Sequence, residues 1–420
     1  MQRVWSDGLA EQVGRPVRVA GWFHHLRRLS RVSFLLVRDG RGLIQVVVDE
    51  PALADRLAAL ERESVIEVIG HAVAEPQAPG GVEIRAPQIN VIVATAVQPP
   101  VVMSGPTLRA SLPTILDHAP ITLRHPSRRV AFAAAAALAR GFRQALDARG
   151  FVEIQTPKLV AANAEGGANV FRVDYMGREA YLAQSPQLYK QIMVGVFERV
   201  YEVGPIFRAE PHDTPRHLNE CISLDAEMGF ISDHREVVGL LRDVVAEMID
   251  AAGRAGIPAV DVPSELPFID FREALRIAGA ADDEPDLAPA HELAIGAWAA
   301  REHGSDFVLV EGYPTHKRAF YTHPDPAAPE RSLGFDLIFR GWEVCSGAQR
   351  LHRVEDYLAV MRERGMDPAA FEGYLEAFRH GMPPHGGFAI GLERFTTRLL
   401  GKNNLREATL FPRDLNRLAP

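Results

Sequence analysis

Residues 208–230, RAEPHDTPRHLNECISLDAEMGF, combine charged side chains with a turn between two apolar runs. The preceding run VYEVGPIF alternates apolar residues with small or polar ones, which predicts a buried strand. HDTP is a turn signal, and LNECISLDAEMGF predicts the return strand. The stretch therefore predicts an antiparallel hairpin with a cation on each side of its loop and Glu210 beside the first.

These side chains suit a nucleotide bound in a bent conformation. Arg208 can grip a phosphate through its planar guanidinium, and Glu210 can accept a hydrogen bond from an exocyclic amine. Arg216 and His217 can reach the distal phosphates. A surface hairpin with ordinary salt bridges would show the same spacing, so the hairpin alone leaves both interpretations open.

A second candidate segment lies at residues 381–420, where the apolar run GGFAIGL leads into a predicted helix that starts near Glu393. Gly391 lets a ligand approach the backbone closely. Arg394, in the first turn of the helix, can lie over an adenine ring and reach a phosphate. Glycines in such a strand often serve only packing.

The third segment, residues 124–159, predicts a long Ala-rich helix followed by the strand FVEIQTP. Ser127 is its expected N-cap, and Gly150 its expected C-terminal stop. Four apolar residues are expected on roughly one side of the helix: Val130, Leu138, Phe142 and Leu146. A core helix and strand would fit these residues equally well.

Residues 208–230 resemble motif 2 of class II aminoacyl-tRNA synthetases, residues 381–420 resemble motif 3, and residues 124–159 resemble motif 1. The LFPRD sequence near the end makes the motif 3 match more specific. In the family, the motif 1 helix and strand form the dimer interface, so the resemblance implies a homodimer. The chain has no GxxxxGK[ST] loop and no GxGxxG fingerprint after a predicted strand.

Within that family, the segments AQSPQLYKQ, FRAEPHDTPRHLNE, EVCSGAQR and MPPHGGFAIGLER are similar to the archaeal type of aspartyl-tRNA synthetase. Only about 150 residues separate motifs 2 and 3, which leaves no room for the large insertion of the bacterial type. The implied fold is α+β: an OB-type β-barrel followed by a class II catalytic domain, an antiparallel sheet flanked by helices. The expected domains are residues 1–96 (anticodon binding), 97–125 (linker) and 126–420 (catalytic).

Residues 16–95 support the barrel independently of the resemblance. Five alternating runs are separated by Gly, Asp and Pro, with one predicted helix, PALADRLAALERE, between the third and fourth. Trp22 and Phe34 are expected in the core, whereas His24 and Arg27 are expected on an open face that binds single-stranded nucleic acid. The arginines between residues 24 and 41 would assist, although such a charge run is also typical of a solvated face.

Composition sets the remaining bounds. The 420 residues have globular hydrophobic and charged fractions, and no apolar run reaches the roughly 18 residues of a membrane span. The N-terminus lacks a signal pattern, and two cysteines cannot form a disulfide framework or a zinc cluster. We therefore expect a cytoplasmic protein that does not associate with a membrane. The net charge of −8 gives no overall attraction to nucleic acid.

The resemblance implies three sets of site residues. Those expected to contact aspartate are Glu165, Gln187, Lys190, Arg208, Ser346 and Arg350. Those expected to contact ATP are Arg208, Glu210, Arg216, His217, Leu218, Glu343, Gly391, Leu392, Glu393 and Arg394, with Arg208 and Arg394 acting in catalysis. Glu343 and Ser346 are expected to hold Mg²⁺, although regular strand spacing would place them on opposite faces.

Lys190 and Arg350 favour aspartate over asparagine, because a carboxylate in a closed site needs cationic partners. The expected reaction is ATP-dependent charging of tRNA(Asp), and also of tRNA(Asn), through an aspartyl-adenylate. In the archaeal type, Trp and Lys at two barrel positions accompany strict selection of the aspartate tRNA, and His and Pro accompany relaxed selection. The matching residues here are His24 and Pro79.

Several alternatives remain open at this point. They are a strictly discriminating aspartyl enzyme, an asparaginyl enzyme, a tRNA-independent paralogue that activates aspartate, for example to form its amide, and a non-catalytic nucleic-acid-binding regulator. The barrel argues against the paralogue, and the retained charged residues argue against the regulator. Residues 264–305 suggest no function.

Overall fold

The computed structural model describes residues 1–161 and 169–419, which form two compact units, residues 1–129 and 130–419. The first unit contains strands β1 (Pro16–Arg28), β2 (Ser33–Arg38), β3 (Leu43–Val48), β4 (Val65–Ala74) and β5 (Val82–Val93). Its helices are α1 (Pro51–Ala58), α2 (Leu112–Asp117) and α3 (Ala119–Thr122), and helix α4 (Pro126–Asp147) continues into the second unit.

The five strands of the first unit form a closed barrel in the order β1-β2-β3-β5-β4. Their inward positions alternate along each strand and supply an aliphatic core that includes Val19, Leu35, Val46 and Val68. Helix α1 lies between β3 and β4 in the chain. The predicted strands and the predicted helix of the barrel are thus confirmed.

The second unit contains strands β6 (Val152–Glu153), β7 (Leu159–Val160), β8 (Arg172–Tyr175), β9 (Arg178–Leu182), β10 (Arg199–Phe207), β11 (Glu220–Gly229), β12 (Phe268–Asp270), β13 (Phe307–Glu311), β14 (Pro324–Asp325), β15 (Ala328–Ser332), β16 (Gly334–Phe339), β17 (Trp342–Gln349) and β18 (His385–Gly391). Its helices are α5 (Gln187–Phe197), α6 (His234–Arg254), α7 (Phe271–Ala278), α8 (Pro289–His303), α9 (Val354–Glu363), α10 (Glu372–Arg379) and α11 (Leu392–Leu399).

In the described part of the second unit, a large sheet runs in the order β12-β13-β16-β17-β18-β11-β10-β6. The pairs in its middle are antiparallel, as expected, but β6 pairs with β10 and β12 pairs with β13 in parallel. The sheet is therefore mixed, with a parallel pair at each edge. The predicted hairpin is confirmed as β10 and β11, and the predicted Gly-rich strand and helix are β18 and α11.

Helix α4 differs from its prediction in two details. It begins at Pro126, so Ser127 lies inside the first turn and is not the N-cap; proline suits a first helical position because its missing N–H has no intrahelical partner there. Val130 is 46% exposed, whereas Leu138 and Leu146 are fully buried. Sixteen steps of about 100° place Val130 and Leu146 on nearly opposite sides of the helix.

Helices α4 and α6 pack closely over the sheet, because Gly141 of α4 has no side chain. A Cβ atom at Gly141 would lie 2.7 Å from the Cα of Met248 and 2.8 Å from the carbonyl oxygen of Glu247 in α6. Gly239, also in α6, has no neighbouring atom within 4 Å of a Cβ position. In the part of the chain that the structure describes, no helix is long and apolar enough to cross a membrane.

These two glycines allow a matched test of the helix contact. We expect Gly141→Ala to destabilise the protein by about 1–3 kcal/mol, because the added methyl group forces the two backbones apart. We expect Gly239→Ala to stabilise it by about 0.5–1 kcal/mol, because alanine favours an open helix position. Urea unfolding of both variants measures the difference, and equal effects would contradict the packing described.

Candidate functional site

A cavity of about 340 Å³ opens on the large sheet beside β11, β17 and β18. Three stretches of the chain meet there, residues 206–223, 343–346 and 389–405. The predicted site residues that line it are Arg208, Glu210, Arg216, His217, Leu218, Glu343, Ser346, Gly391, Glu393 and Arg394. The structure thus brings together residues that are almost 190 positions apart in sequence.

The hairpin loop is closed at its base by backbone and amide hydrogen bonds. The Arg208 N–H donates to the Asn219 carbonyl at 2.9 Å, and the Asn219 side-chain amide donates to the Arg208 carbonyl at 2.7 Å. Further along the loop, the His217 ring lies 2.6 Å from the Thr214 hydroxyl. Burial lowers the pKa of His217, and the neighbouring His212 and Arg394 lower it further.

Helix α11 anchors the opposite wall of the cavity. Arg394 donates to the Glu343 carbonyl at 3.2 Å, and its guanidinium lies 3.6 Å from the Glu343 carboxylate. The Glu393 carboxylate accepts from the Ile222 N–H of β11 at 3.1 Å, and burial raises the pKa of Glu393 to about 7. Leu392 is buried and lines a different groove, beside α4.

A break in strand register brings Glu343 and Ser346 to the same cavity. Leu337 pairs with Cys345, but its neighbour Ile338 pairs with Glu343, so Val344 is an extra residue in β17. One inserted residue reverses the alternation of side chains beyond it. Glu343 and Ser346 can therefore face one ligand, which regular spacing would not allow.

The Glu343 carboxylate lies in an acidic environment. Burial and then the charge of Asp336 raise the pKa of Glu343 to about 7, while Arg394 lowers it. Asp336 pairs with Ser346 across the sheet, and Arg318 donates to Asp336 at 2.7 and 3.1 Å and to the Ser346 hydroxyl at 3.3 Å. Carboxylate and hydroxyl oxygens are the donors that Mg²⁺ prefers, so these residues could hold that ion.

Lys190 and Arg350, the two cations expected to contact aspartate, are both paired with buried carboxylates. Lys190, 1% exposed, lies 3.0 Å from Asp225 and 3.3 Å from Glu227. Arg350 donates to Glu227 at 2.9 Å and to the Gly387 carbonyl at 3.1 Å. Burial alone would raise the pKa of Glu227, but Arg350 and Lys190 hold it below its ordinary value.

This cluster of Lys190, Asp225, Glu227 and Arg350 is electrically balanced and lies directly behind the cavity wall. Ser223 connects the two, because it lines the cavity and donates to Asp225 at 2.5 Å. Gln187 is also buried near the cluster and donates to Gln191 at 3.1 Å. Glu165, the remaining expected aspartate contact, lies outside the described residues.

In the barrel, His24 is not on an open face, and that expectation is wrong. The register of β1 shifts between Phe23 and His25, so His24 is an unpaired bulge residue and is only 3% exposed. Burial, reinforced by Arg38, lowers the pKa of His24 to about 4. Arg38 lies 3.3 Å from the His24 ring and makes two 2.7 Å hydrogen bonds to Glu63.

Of the other expectations for the barrel, the one for Arg27 is correct and those for Trp22 and Phe34 are not. Arg27 is exposed, as predicted, whereas Trp22 and Phe34, expected in the core, are only partly buried. The fully buried aromatic residue of β1 is Phe23. Pro79 is partly exposed at the start of a short 3-10 turn, Pro79–Gly81.

Four polar residues of the site were missed: Asp225, Glu227, Asp336 and Glu292. The sequence could have indicated the first three, because an acidic residue inside an otherwise apolar strand needs a buried partner. Asp225 and Glu227 are two residues apart and therefore share a face of β11. Glu292 lies in α8, within the stretch to which no function was attached.

Known proteins are similar to this chain over its whole length. A family model described as tRNA synthetases class II (D, K and N) matches residues 111–415, and one described as an OB-fold nucleic acid binding domain matches residues 17–92. The chain is 46% identical to the aspartate--tRNA(Asp/Asn) ligase of Thermus thermophilus, covering 100% of both chains. It is 43% identical to the protein of the same name from Deinococcus radiodurans, covering 100% of this chain and 99% of that one.

Among solved structures, the asparaginyl-tRNA synthetase of Pyrococcus horikoshii complexed with asparaginyl-adenylate is similar, with a TM-score of 0.91, 31% identity and 100% coverage of both chains. These matches confirm the predicted architecture of an OB-fold domain followed by a class II catalytic domain. The chain belongs to the class II tRNA synthetase family, in the group described as D, K and N.

Proposed function

We propose that this protein attaches L-aspartate to tRNA(Asp) and tRNA(Asn), using ATP and an aspartyl-adenylate intermediate. The observation that carries the proposal is one cavity lined by Arg208, Glu210, His217 and Arg394, with the buried Lys190 cluster behind its wall. The cations suit a triphosphate, and the cluster suits a charged amino acid. The relatives named as aspartate--tRNA(Asp/Asn) ligases support the choice of aspartate and of both tRNAs.

In this proposal, the α-carboxylate of aspartate attacks the α-phosphate of ATP in line and pyrophosphate leaves. Arg208 contacts the α-phosphate and offsets the charge that develops there, while Arg394 and the hairpin loop hold the leaving group. A terminal ribose hydroxyl of the tRNA then attacks the adenylate carbonyl and releases AMP. The protein supplies positioning and electrostatic stabilisation and needs no nucleophile of its own.

Mg²⁺ is part of the proposal, held by Glu343 and Ser346 with Asp336 beside them. Bound there, the ion would neutralise phosphate charge. The protein provides few oxygen donors, as is usual for Mg²⁺, whose shell is completed by phosphates and water. Burial and the charge of Asp336 raise the pKa of Glu343 although Arg394 lies 3.6 Å away, and a divalent cation would favour its ionised form.

The balanced cluster sets a condition on amino-acid recognition. Lys190 is already in contact with Asp225, Glu227 and the Phe388 carbonyl. To bind the aspartate side chain, Lys190 must turn a donor from an internal partner to the substrate, whereas the hydrogen bonds of Arg350 to Glu227 and Gly387 use only Nε and Nη2. Because Asp225 and Glu227 could also accept from an amide, activation of asparagine is the second candidate function.

Pyrophosphate exchange distinguishes the two candidates. With ATP and Mg²⁺, and with the amino-acid concentration varied, we expect exchange with aspartate at a kcat/KM at least 100-fold above that with asparagine. A donor that Lys190 or Arg350 offers to the substrate makes a charge-assisted hydrogen bond with a carboxylate and only a weaker one with a neutral amide. A preference for asparagine would establish the second candidate. Exchange with neither amino acid would overturn the proposed function.

Arg208 is the most direct test of the proposed ATP site. We expect Arg208→Ala to reduce aspartate-dependent exchange at least 100-fold, about 3 kcal/mol of transition-state stabilisation, because it removes the charge expected to face the α-phosphate. Arg254→Ala, at an exposed position of α6, is the matched control and should retain wild-type exchange. A loss of less than tenfold for Arg208→Ala would contradict its assigned role.

The proposed homodimer would use the α4 face. An apolar groove of about 560 Å³ lies there between α4 and residues 408–413. Val130 and Leu410 are about half exposed on these segments, and Phe411 is more than a third exposed. A second copy of the chain would cover them.

Relaxed tRNA selection is tested by charging purified tRNA(Asp) and tRNA(Asn) with labelled aspartate. We expect efficiencies within 100-fold of each other, because Pro79 offers no charge or donor to the third anticodon base, at which G-U-C and G-U-U differ. Pro79→Lys, at a partly exposed turn, should raise the preference for tRNA(Asp) without unfolding the barrel. A wild-type preference above 100-fold would establish the strictly discriminating alternative.

The variant His24→Trp is a less direct test of tRNA selection, because it also changes the core of the barrel. Because His24 is buried beside Arg38 and Glu63, an indole must displace that ion pair. Its effect on selection is interpretable only if thermal unfolding shows an intact barrel.

A further inference from the structure

Glu292 connects two parts of the cavity wall that are far apart in sequence. Its carboxylate accepts from both terminal nitrogens of Arg216, at 2.5 and 3.3 Å. The same carboxylate accepts from the backbone N–H of Glu343 at 2.6 Å. One side chain therefore fixes both a cation of the hairpin loop and the start of β17.

Arg216 is held on further sides as well. It donates to the Gly341 carbonyl at 3.3 Å, and its guanidinium carbon lies 4.7 Å from the centre of the Trp342 ring. Its side chain is 15% exposed and still lines the cavity. An arginine has many rotamers in water, so these contacts select one position of the guanidinium.

A close backbone contact holds helix α8 where Glu292 lies beside Arg216 and Glu343. Gly296, one turn after Glu292, packs on the turn between β16 and β17, and a Cβ there would lie 2.5 Å from the Gly341 nitrogen. Backbone therefore contacts backbone, and a side chain at position 296 would push helix α8 away from this turn. Burial raises the pKa of Glu292, while Arg216 and the Glu343 N–H act in the opposite direction.

We propose that Glu292 is a positioning residue of the nucleotide site, which holds Arg216 where the distal phosphates of ATP bind and holds the backbone at Glu343. This inference rests on the proposed function only in that it takes ATP as the ligand of the cavity. It gives a role to helix α8, within residues 264–305. Glu292 is not a catalytic residue, because its carboxylate faces Arg216 and not the substrate.

Binding of ATP and of AMP to Glu292→Gln tests the proposal. The amide keeps the size of the side chain but cannot accept from both nitrogens of Arg216 and from Glu343 together. We expect the Kd for ATP, measured by calorimetry with Mg²⁺, to rise at least tenfold and the Kd for AMP to change less than twofold, because AMP lacks the distal phosphates. Loss of the Glu292 charge by itself would favour a polyanion, so weaker ATP binding reports lost positioning.

Three further variants complete the experiment. Glu302→Gln, at an exposed position near the end of α8, is the matched control and should bind both nucleotides as the wild type does. In an Arg216→Ala background, Glu292→Gln should not weaken ATP binding further, because the residue through which it acts is gone. If Glu292→Gln does not fold, Glu292→Asp, which withdraws the carboxylate by one methylene, should shift ATP binding in the same direction.

Unchanged or tighter ATP binding by the folded Glu292 variant would overturn the proposal, and tighter binding would mean that Glu292 competes with phosphate for Arg216. Equal weakening of ATP and AMP would also overturn it, because that pattern indicates general damage to the site. These binding measurements contain no aspartate, so their outcomes do not depend on which amino acid the protein activates. Wild-type protein that binds ATP but shows no aspartate-dependent exchange would refute the proposed function alone.

Discussion

Two carboxylates in the middle of the large sheet, Asp225 and Glu227, constrain the rest of the catalytic unit. An unpaired charge at such a depth would cost several kcal/mol, so the fold must deliver cations to β11. Lys190 arrives from α5, and Arg350 from the end of β17. The charge requirement thus ties the strand of the hairpin to a helix and to a second strand, and this places the hairpin loop beside β17 and β18.

One ion pair of the cavity differs from those of the cluster behind it. In the cluster, each cation has a carboxylate within 3.3 Å and the total is balanced. In the cavity, Glu292 holds Arg216 tightly at 2.5 Å, but Arg394 is 3.6 Å from a carboxylate whose pKa is raised to about 7, so this second pair is loose. A balanced interior resists change, whereas loosely paired groups can exchange partners for a polyanionic substrate and a divalent cation at modest cost.

Backbone contacts determine where these groups lie. Gly296 lets α8 touch the β16–β17 turn, and Gly141 lets α4 touch α6. The extra residue Val344 in β17 turns Glu343 toward the same space as Ser346. The chemistry proposed for this cavity consists of positioning and electrostatic stabilisation, and such chemistry is only as good as the rigidity of the elements that carry the side chains.

Alternation of apolar residues along the chain determined the barrel strands, the β10–β11 hairpin and the β18–α11 junction, because strand and helix periods are local properties. Arg208, Glu210 and Arg394 of the cavity wall could also be singled out, because their types and spacing lie within short segments. Glu343 and Ser346 were expected only from the resemblance to the class II family. The partners of Lys190 and Arg350, at separations of 35 and 123 residues, and of Arg216, at 76, were decided only by the tertiary structure. So were the burial of His24 and the common face of Glu343 and Ser346, because each follows from a bulge whose position depends on the register with a neighbouring strand.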